Sequence, residues 1–104
     1  MKLQDPKYEF RNGHLYHVSR KYVIPTDEPV VIFRGKDQGC LIAMEAYKTW
    51  LESIPVEQYE DEVCIEIAAH IETISERIKT ISQWQSENPK RVGMGCNTGA
   101  KFRI

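Results

Sequence analysis

Cations and aromatic rings are the residues of this chain whose types and spacing best suit chemistry. Aromatic side chains stack on nucleobases, while Arg and Lys meet phosphate oxygens, so the combination favours a nucleotide-like anion. The predicted ligand-binding residues are Tyr8, Arg11, Tyr16, Tyr22, Arg34, Lys36, Lys90 and Arg91. The alternative is that the tyrosines are ordinary strand and core residues.

Two of these cations flank a glycine just before a predicted helix. Arg34-Gly35-Lys36 precedes the cap residue Asp37, and a helix N-terminus offers N–H groups and a dipole that favour a bound anion. The segment 89–104 adds four further cations and contains no acidic residue. It could bind an anion, or it could lie against residues 56–88, whose eight acidic and two basic side chains give a local charge of −6.

Catalytic and metal-binding patterns are weak. His14 and His17 have the spacing of two metal ligands, but no third ligand lies at a familiar distance along the chain. The carboxylates of Glu60, Asp61 and Glu62 point apart if the segment is helical. No Ser or Cys has a base evident beside it in the sequence. We therefore predict a binding protein with no catalytic residue, no metal site and no cofactor.

Charge and cysteine content exclude several classes of protein. The net charge is −1 and the pI is near 6.3, which gives no direct evidence for binding to DNA or RNA. Cys40, Cys64 and Cys96 are odd in number and far apart, which is typical of free thiols in a reducing compartment. No apolar run is long enough to cross a membrane or to act as a signal-peptide core. These features predict a cytoplasmic protein that does not bind membranes.

The 104 residues are expected to form a single domain of the α+β class, oligomeric, with a β-hairpin followed by a long antiparallel helical hairpin. The predicted segments are an N-terminal loop at 1–16, a β-hairpin at 17–35, the helical hairpin at 37–88 and a basic, glycine-rich tail at 89–104. Within the hairpin, residues 30–33 form the second strand. They are apolar on both faces and therefore need cover on both.

The second predicted helix, from Pro55 to residue 88, is much longer than the first, at 38–54. The two would span about 48 Å and about 25 Å, so the first helix would not cover the end of the second. The apolar residues left uncovered, and hence the predicted oligomer interface, are Ile74, Ile78, Ile81 and Trp84. Burying them predicts a homodimer or a higher homo-oligomer. The alternative is that the second helix kinks and packs entirely within its own chain.

The run from Tyr22 to Asp37 resembles a segment of small phage and prophage proteins of uncharacterised function, with the pattern Y-x-I-P-x-D-E-P-V-F-x-x-R-G-x-D. Trp84-Gln85 fits the same resemblance more loosely. The resemblance implies a phage accessory protein that acts by binding, either blocking a host defence protein or sequestering its nucleotide signal.

The resulting hypothesis is a non-enzymatic, oligomeric binding protein, of the phage anti-defence kind, that sequesters an anionic small ligand such as a nucleotide. One alternative is an inhibitor or adaptor that binds a host protein through the acidic helix face or exposed aromatic residues. Another is a purely structural subunit.

Overall fold

The computed structural model describes residues 3–94 and divides the chain into two compact units, residues 1–32 and 33–104. Unit 1 contains three antiparallel strands and unit 2 contains two α-helices, which confirms the α+β class. The expectation of a single domain stays a prediction, and each unit is described by itself. Cys96 and the cations of residues 95–104 lie outside the described residues.

The sheet of unit 1 is built around a two-residue turn. Strands β1 (Tyr8–Arg11) and β2 (His14–His17) are joined by Asn12 and Gly13, both with positive φ, of 50° and 79°. Two successive residues with positive φ are typical of the type I′ turn, whose twist matches that of the flanking strands. The predicted N-terminal loop at 1–16 is therefore wrong, since this segment holds β1 and most of β2.

The predicted hairpin at 17–35 is also wrong. Between residues 18 and 94, only Tyr22–Val23 (β3) forms a strand, and it pairs with β2, giving the order β1-β2-β3. Residues 30–33 belong to no helix, strand or turn. The physical reason is that a strand needs a partner. The Asn-Gly turn pairs β2 with β1 on one edge, and β3 pairs with the other edge of β2.

Helix α1 of unit 2, Gln38–Glu52, confirms the first predicted helix to within two residues at its end. Asp37 is the N-cap, and its Oδ1 accepts a hydrogen bond of 2.8 Å from the Gly39 N–H. Cys40 and Leu51 are buried, as expected for apolar residues on the side of a helix that packs on a neighbouring helix.

Helix α2, Asp61–Glu87, begins later than predicted and ends where predicted. Val56–Gln58 form a single 3-10 turn, and Tyr59 then leaves helical geometry with φ −119° and ψ 160°. Glu60 becomes the N-cap of α2, so the predicted start at Pro55 is wrong. Asn88 caps the C-terminus before Pro89, which cannot continue a helix.

The delayed start of α2 changes which apolar residues are covered. Residues 53–60 separate the helices, and α2 contacts α1 and the residues just before it from His70, which is bound to Tyr47, to Gln85, which is bound to Gly35 and Asp37. Ile74 and Ile81 are only 5% and 9% exposed within the single chain, and Ile78 and Trp84 are half-buried. The predicted overhang at these residues is therefore wrong. Their assignment to an oligomer interface stays a prediction. The expected exposure on which that assignment was based is not found, because these residues are covered within one chain.

The buried thiol of Cys40 provides a test of the α1–α2 core. Burial, and to a smaller extent the Asp37 carboxylate, raises the pKa of the Cys40 thiol above its ordinary value. A raised pKa lowers the thiolate fraction near pH 8, and only the thiolate attacks thiol reagents. In a Cys64→Ser, Cys96→Ser background, we expect a disulfide reagent to label Cys40 at least about tenfold more slowly in the folded protein than in urea.

The control is the Cys40→Ser, Cys96→Ser variant, which retains the half-buried Cys64 and should label faster. Equal rates for Cys40 in the folded and unfolded protein would contradict a closed core at this position.

Candidate functional site

Four predicted ligand residues, Arg34, Lys36, Lys90 and Arg91, lie in two segments that the structure joins at one end of the helical hairpin. We call these four residues the basic end. The Gly93 N–H donates to the Lys36 carbonyl at 2.9 Å, and the Gln38 N–H donates to the Gly93 carbonyl at 2.7 Å. Asp37 and Gly93 thereby form a parallel β-bridge. Backbone hydrogen bonds thus bring together cations that are more than 50 residues apart in the chain.

Gln85, in the last turn of α2, completes this connection. Its side-chain amide donates to the carbonyls of Gly35 and Asp37, at 2.8 and 3.1 Å. The end of α2 therefore holds the segment that starts α1. Because both acceptors are backbone atoms, the amide positions the turn that carries Arg34 and Lys36, whatever their side chains do.

Trp84 positions the other segment. The Arg91 guanidinium lies 4.7 Å from the centre of the Trp84 ring, at cation–π distance. A Cβ atom at Gly35 would lie 4.0 Å from the same ring, which places the backbone of the first segment beside it. Arg91 is thus placed by an aromatic ring that lies between the two segments.

The charges of the basic end are not neutralised by ion pairs within residues 3–94. The ion pairs that join Lys7 to Asp5 and Arg11 to Glu9 lie in unit 1. Arg34, Lys90 and Arg91 are exposed, and Lys36 is half-buried. The end of the hairpin therefore presents several cations to a ligand.

The N-terminus of α1 does not offer free N–H groups to an anion. Gln38 donates to the Gly93 carbonyl, Gly39 to the Asp37 side chain, and Cys40 to the Asp37 carbonyl at 3.0 Å. The chain itself uses the first three donors of the helix. An anion at this end would be bound by side-chain cations.

The other predicted ligand residues lie in the sheet of unit 1. The His17 ring lies between two tyrosines: Tyr8 meets it edge-on and Tyr22 stacks on it, each with ring centroids 5.2 Å apart. The Arg11 guanidinium lies 3.9 Å from the Tyr16 ring centre. A hydrogen bond to Glu9 raises the pKa of Arg11, and burial raises the pKa of Tyr8. The assignment of these residues and the basic end to one ligand site stays a prediction.

His17 has a structural role that the sequence analysis missed. Its buried ring accepts a hydrogen bond of 3.2 Å at Nδ1 from the Arg20 N–H. The Ser19 hydroxyl lies at 3.2 Å from the same atom. His17 thus stabilises the turn between β2 and β3. Within residues 3–94, no group of three His, Cys, Asp or Glu side chains could hold a metal ion.

A second surface with binding chemistry lies on α1. We call Ile42, Ala46, Tyr47 and Trp50 the apolar face. Ile42 and Trp50 are 66% and 57% exposed. The Tyr47 hydroxyl and His70 Nε2 form a hydrogen bond of 3.1 Å, and the Tyr47 and Trp50 ring centroids are 5.8 Å apart.

The apolar face is not among the surfaces predicted from the sequence, although its signal is present there. Ile42, Ala46 and Trp50 follow one another at intervals of four residues, which places them along one side of a helix. A second apolar stripe of α1, which we call the inner stripe, contains the buried residues Cys40 and Leu51. Two apolar stripes on one helix exceed what a single neighbouring helix can cover.

The chain is therefore an α+β protein with a small antiparallel sheet and a helical hairpin that presents a cluster of cations at one end. Comparisons with protein-family models, curated proteins and solved structures found no match to this chain. Neither helix in residues 3–94 combines the length and the apolar character needed to span a membrane.

Gln85 and Gln83 offer a matched pair of substitutions at the end of α2. Gln85→Ala leaves the carbonyls of Gly35 and Asp37 without the amide donor, which should lower the free energy of unfolding by about 1–3 kcal/mol. Gln83→Ala removes only an exposed hydrogen bond to Glu87 and should change stability by less than about 0.5 kcal/mol. Urea unfolding followed by tryptophan fluorescence measures both. Equal losses for the two variants would contradict the role assigned to Gln85.

Proposed function

We propose that this protein is a non-enzymatic binding protein that captures an anionic small ligand of the nucleotide class at the basic end. The observation that carries the proposal is the joining of residues 34–38 to Gly93 by backbone hydrogen bonds. The cations of residues 34–36 and 90–91 therefore lie at one end of the hairpin in the absence of a ligand. Such preorganisation reduces the entropy lost on binding.

The types of cation support a phosphate-bearing ligand. The planar guanidinium groups of Arg34 and Arg91 can each donate two parallel hydrogen bonds to a phosphate, while Lys36 and Lys90 supply compact charges. Arg91 is further ordered by its contact with Trp84. Because the four side chains are cations with no proton acceptor among them, they suit holding an anion more than transforming it.

The resemblance of residues 22–37 to phage and prophage proteins extends the proposal to biological role. A small protein that captures a nucleotide could lower the concentration of a signal used by a host defence system. Arg34 and Lys36 lie inside the resembling segment, and Trp84-Gln85, the looser part of the resemblance, supports the same end of the hairpin.

The ligand proposal is tested by calorimetric titration with mono-, di- and cyclic nucleotides. We expect at least one nucleotide to bind, and Arg91→Ala to weaken its binding about tenfold or more, since a hydrogen bond to a charged group contributes about 1.5–3 kcal/mol. The matched control is Lys79→Ala, which removes an exposed cation from the middle of α2.

A ligand at a hundred times its Kd should also stabilise the protein by about 2.7 kcal/mol, visible as a rise in Tm. Absence of any rise with millimolar nucleotides would refute the proposal. Equal weakening by Arg91→Ala and Lys79→Ala would show general charge attraction instead of a site.

A second candidate function, binding to a host protein as an inhibitor or adaptor, is favoured by the exposure of the apolar face. Clusters of exposed apolar side chains mark interaction sites more often than ordinary surface, and Trp and Tyr are enriched among residues that dominate binding energy. Trp50 is ordered by its contact with Tyr47, whose hydroxyl is bound to His70. A partner helix or loop could bury Ile42 and Trp50 together.

Two equally exposed isoleucines test this second function. Ile42→Asp places a charge in the apolar face and should abolish retention of a partner protein in pull-downs from a bacterial lysate. Ile65→Asp, at a residue 68% exposed on α2, should leave retention unchanged. Loss in both variants, or in neither, would count against the apolar face as the binding surface.

A further inference from the structure

Residues 30–33, which we call the apolar segment, expose four consecutive apolar side chains. Val31 and Ile32 are 77% and 69% exposed, and Val30 and Phe33 are each about half exposed. The segment lies between β3 and α1 and belongs to no helix, strand or turn. Exposed apolar runs of this length are rare on the surface of a monomeric protein.

The backbone of the apolar segment is unpaired within residues 3–94. The nearest backbone hydrogen bonds lie on either side of it, from the Glu28 N–H to the Pro25 carbonyl and from the Asp37 N–H to the Arg34 carbonyl. An unpaired backbone of β-branched and aromatic residues is a template for another strand. A second strand would satisfy its donors and acceptors and cover its side chains together.

The charges that border the apolar segment indicate which strand fits. Asp27 and Glu28 precede it, and Arg34 and Lys36 follow it. If two copies pair antiparallel, the acidic residues before the segment in each copy lie beside the basic residues after it in the other. If they pair parallel, like charges lie together. Opposite charges stabilise cross-strand pairs and like charges destabilise them, so the segment is complementary to itself in the antiparallel orientation only.

We propose that the apolar segment pairs antiparallel with the same segment of a second copy of this chain, across a two-fold axis, and makes the protein a homodimer. A two-fold axis uses the same surface on both copies, which a self-complementary segment requires. The partner is thus an identical chain, and the contact is a two-stranded β-pair. Arg34 and Lys36 border this interface and also belong to the basic end, whereas the apolar segment itself is not part of the anion site. The interface does not use Ile74 or Ile81, which are already buried.

Sedimentation velocity of the full chain tests the proposal. We expect the wild type to dimerise at concentrations of about 100 µM or below. Val31→Pro removes a backbone donor and should raise the dimer Kd about tenfold or more. Val31→Ile, the matched control, keeps the N–H and the β-branched shape and should dimerise like the wild type.

Folding of each variant is checked by circular dichroism. Since the helices of unit 2 lie outside the apolar segment, a folded variant should keep the helical signal of the wild type. A variant that loses helix is replaced by Val31→Lys, which opposes burial of the segment without restricting the backbone. A wild type that stays monomeric at about 100 µM would overturn the proposal. So would a dimer that is unaffected by substitution at Val31.

The orientation is tested by exchanging the bordering charges. Glu28→Arg and Arg34→Glu should each weaken the dimer, and the combined variant should restore it, since the two ends again carry opposite charges. A combined variant weaker than either single one would refute antiparallel pairing. Nucleotide titration of Val31→Pro, in which the basic end is unchanged, separates failure of the dimer from failure of the anion site.

Discussion

The hydrogen bonds that join residues 34–38 to the end of the chain's long helix are the constraint on which unit 2 depends. Gln85 donates to two carbonyls at the start of α1, and Gly93 adds a backbone bond on each side of Asp37. These bonds fix the start of α1 against the end of α2. The resulting alignment buries Ile74 and Ile81 within one chain and gathers the cations at the same end.

This alignment also determines what the helical hairpin leaves exposed. With its inner stripe covered by α2, α1 still carries a second stripe that includes Ile42 and Trp50. The basic end lies at one end of the helical hairpin, whereas the apolar face lies along α1 in the same unit. A small ligand at the basic end and a protein on the apolar face would therefore use separate residues, and substitutions can separate them.

The sheet of unit 1 depends on local interactions. A two-residue turn with positive φ at Asn12 and Gly13 sets the pairing of β1 with β2, and the buried His17 ring accepts a hydrogen bond from the next turn. The rings of Tyr8 and Tyr22 lie against His17 from neighbouring strands. Their packing explains why aromatic residues are frequent here without requiring that each contact a ligand.

The sequence by itself determined the α+β class, the extent of α1 and the end of α2, because these follow from helical periodicity, the Asp37 cap and the Asn88-Pro89 stop. It also predicted as ligand residues the cations whose two segments the structure joins. The pairing of β1 with β2 also follows from a local signal, the Asn12-Gly13 turn. Only the tertiary structure decided where α2 begins and which apolar residues are covered. Those depend on contacts between residues far apart in the chain, such as Gln85 with Gly35, and periodicity along one segment contains no information about them.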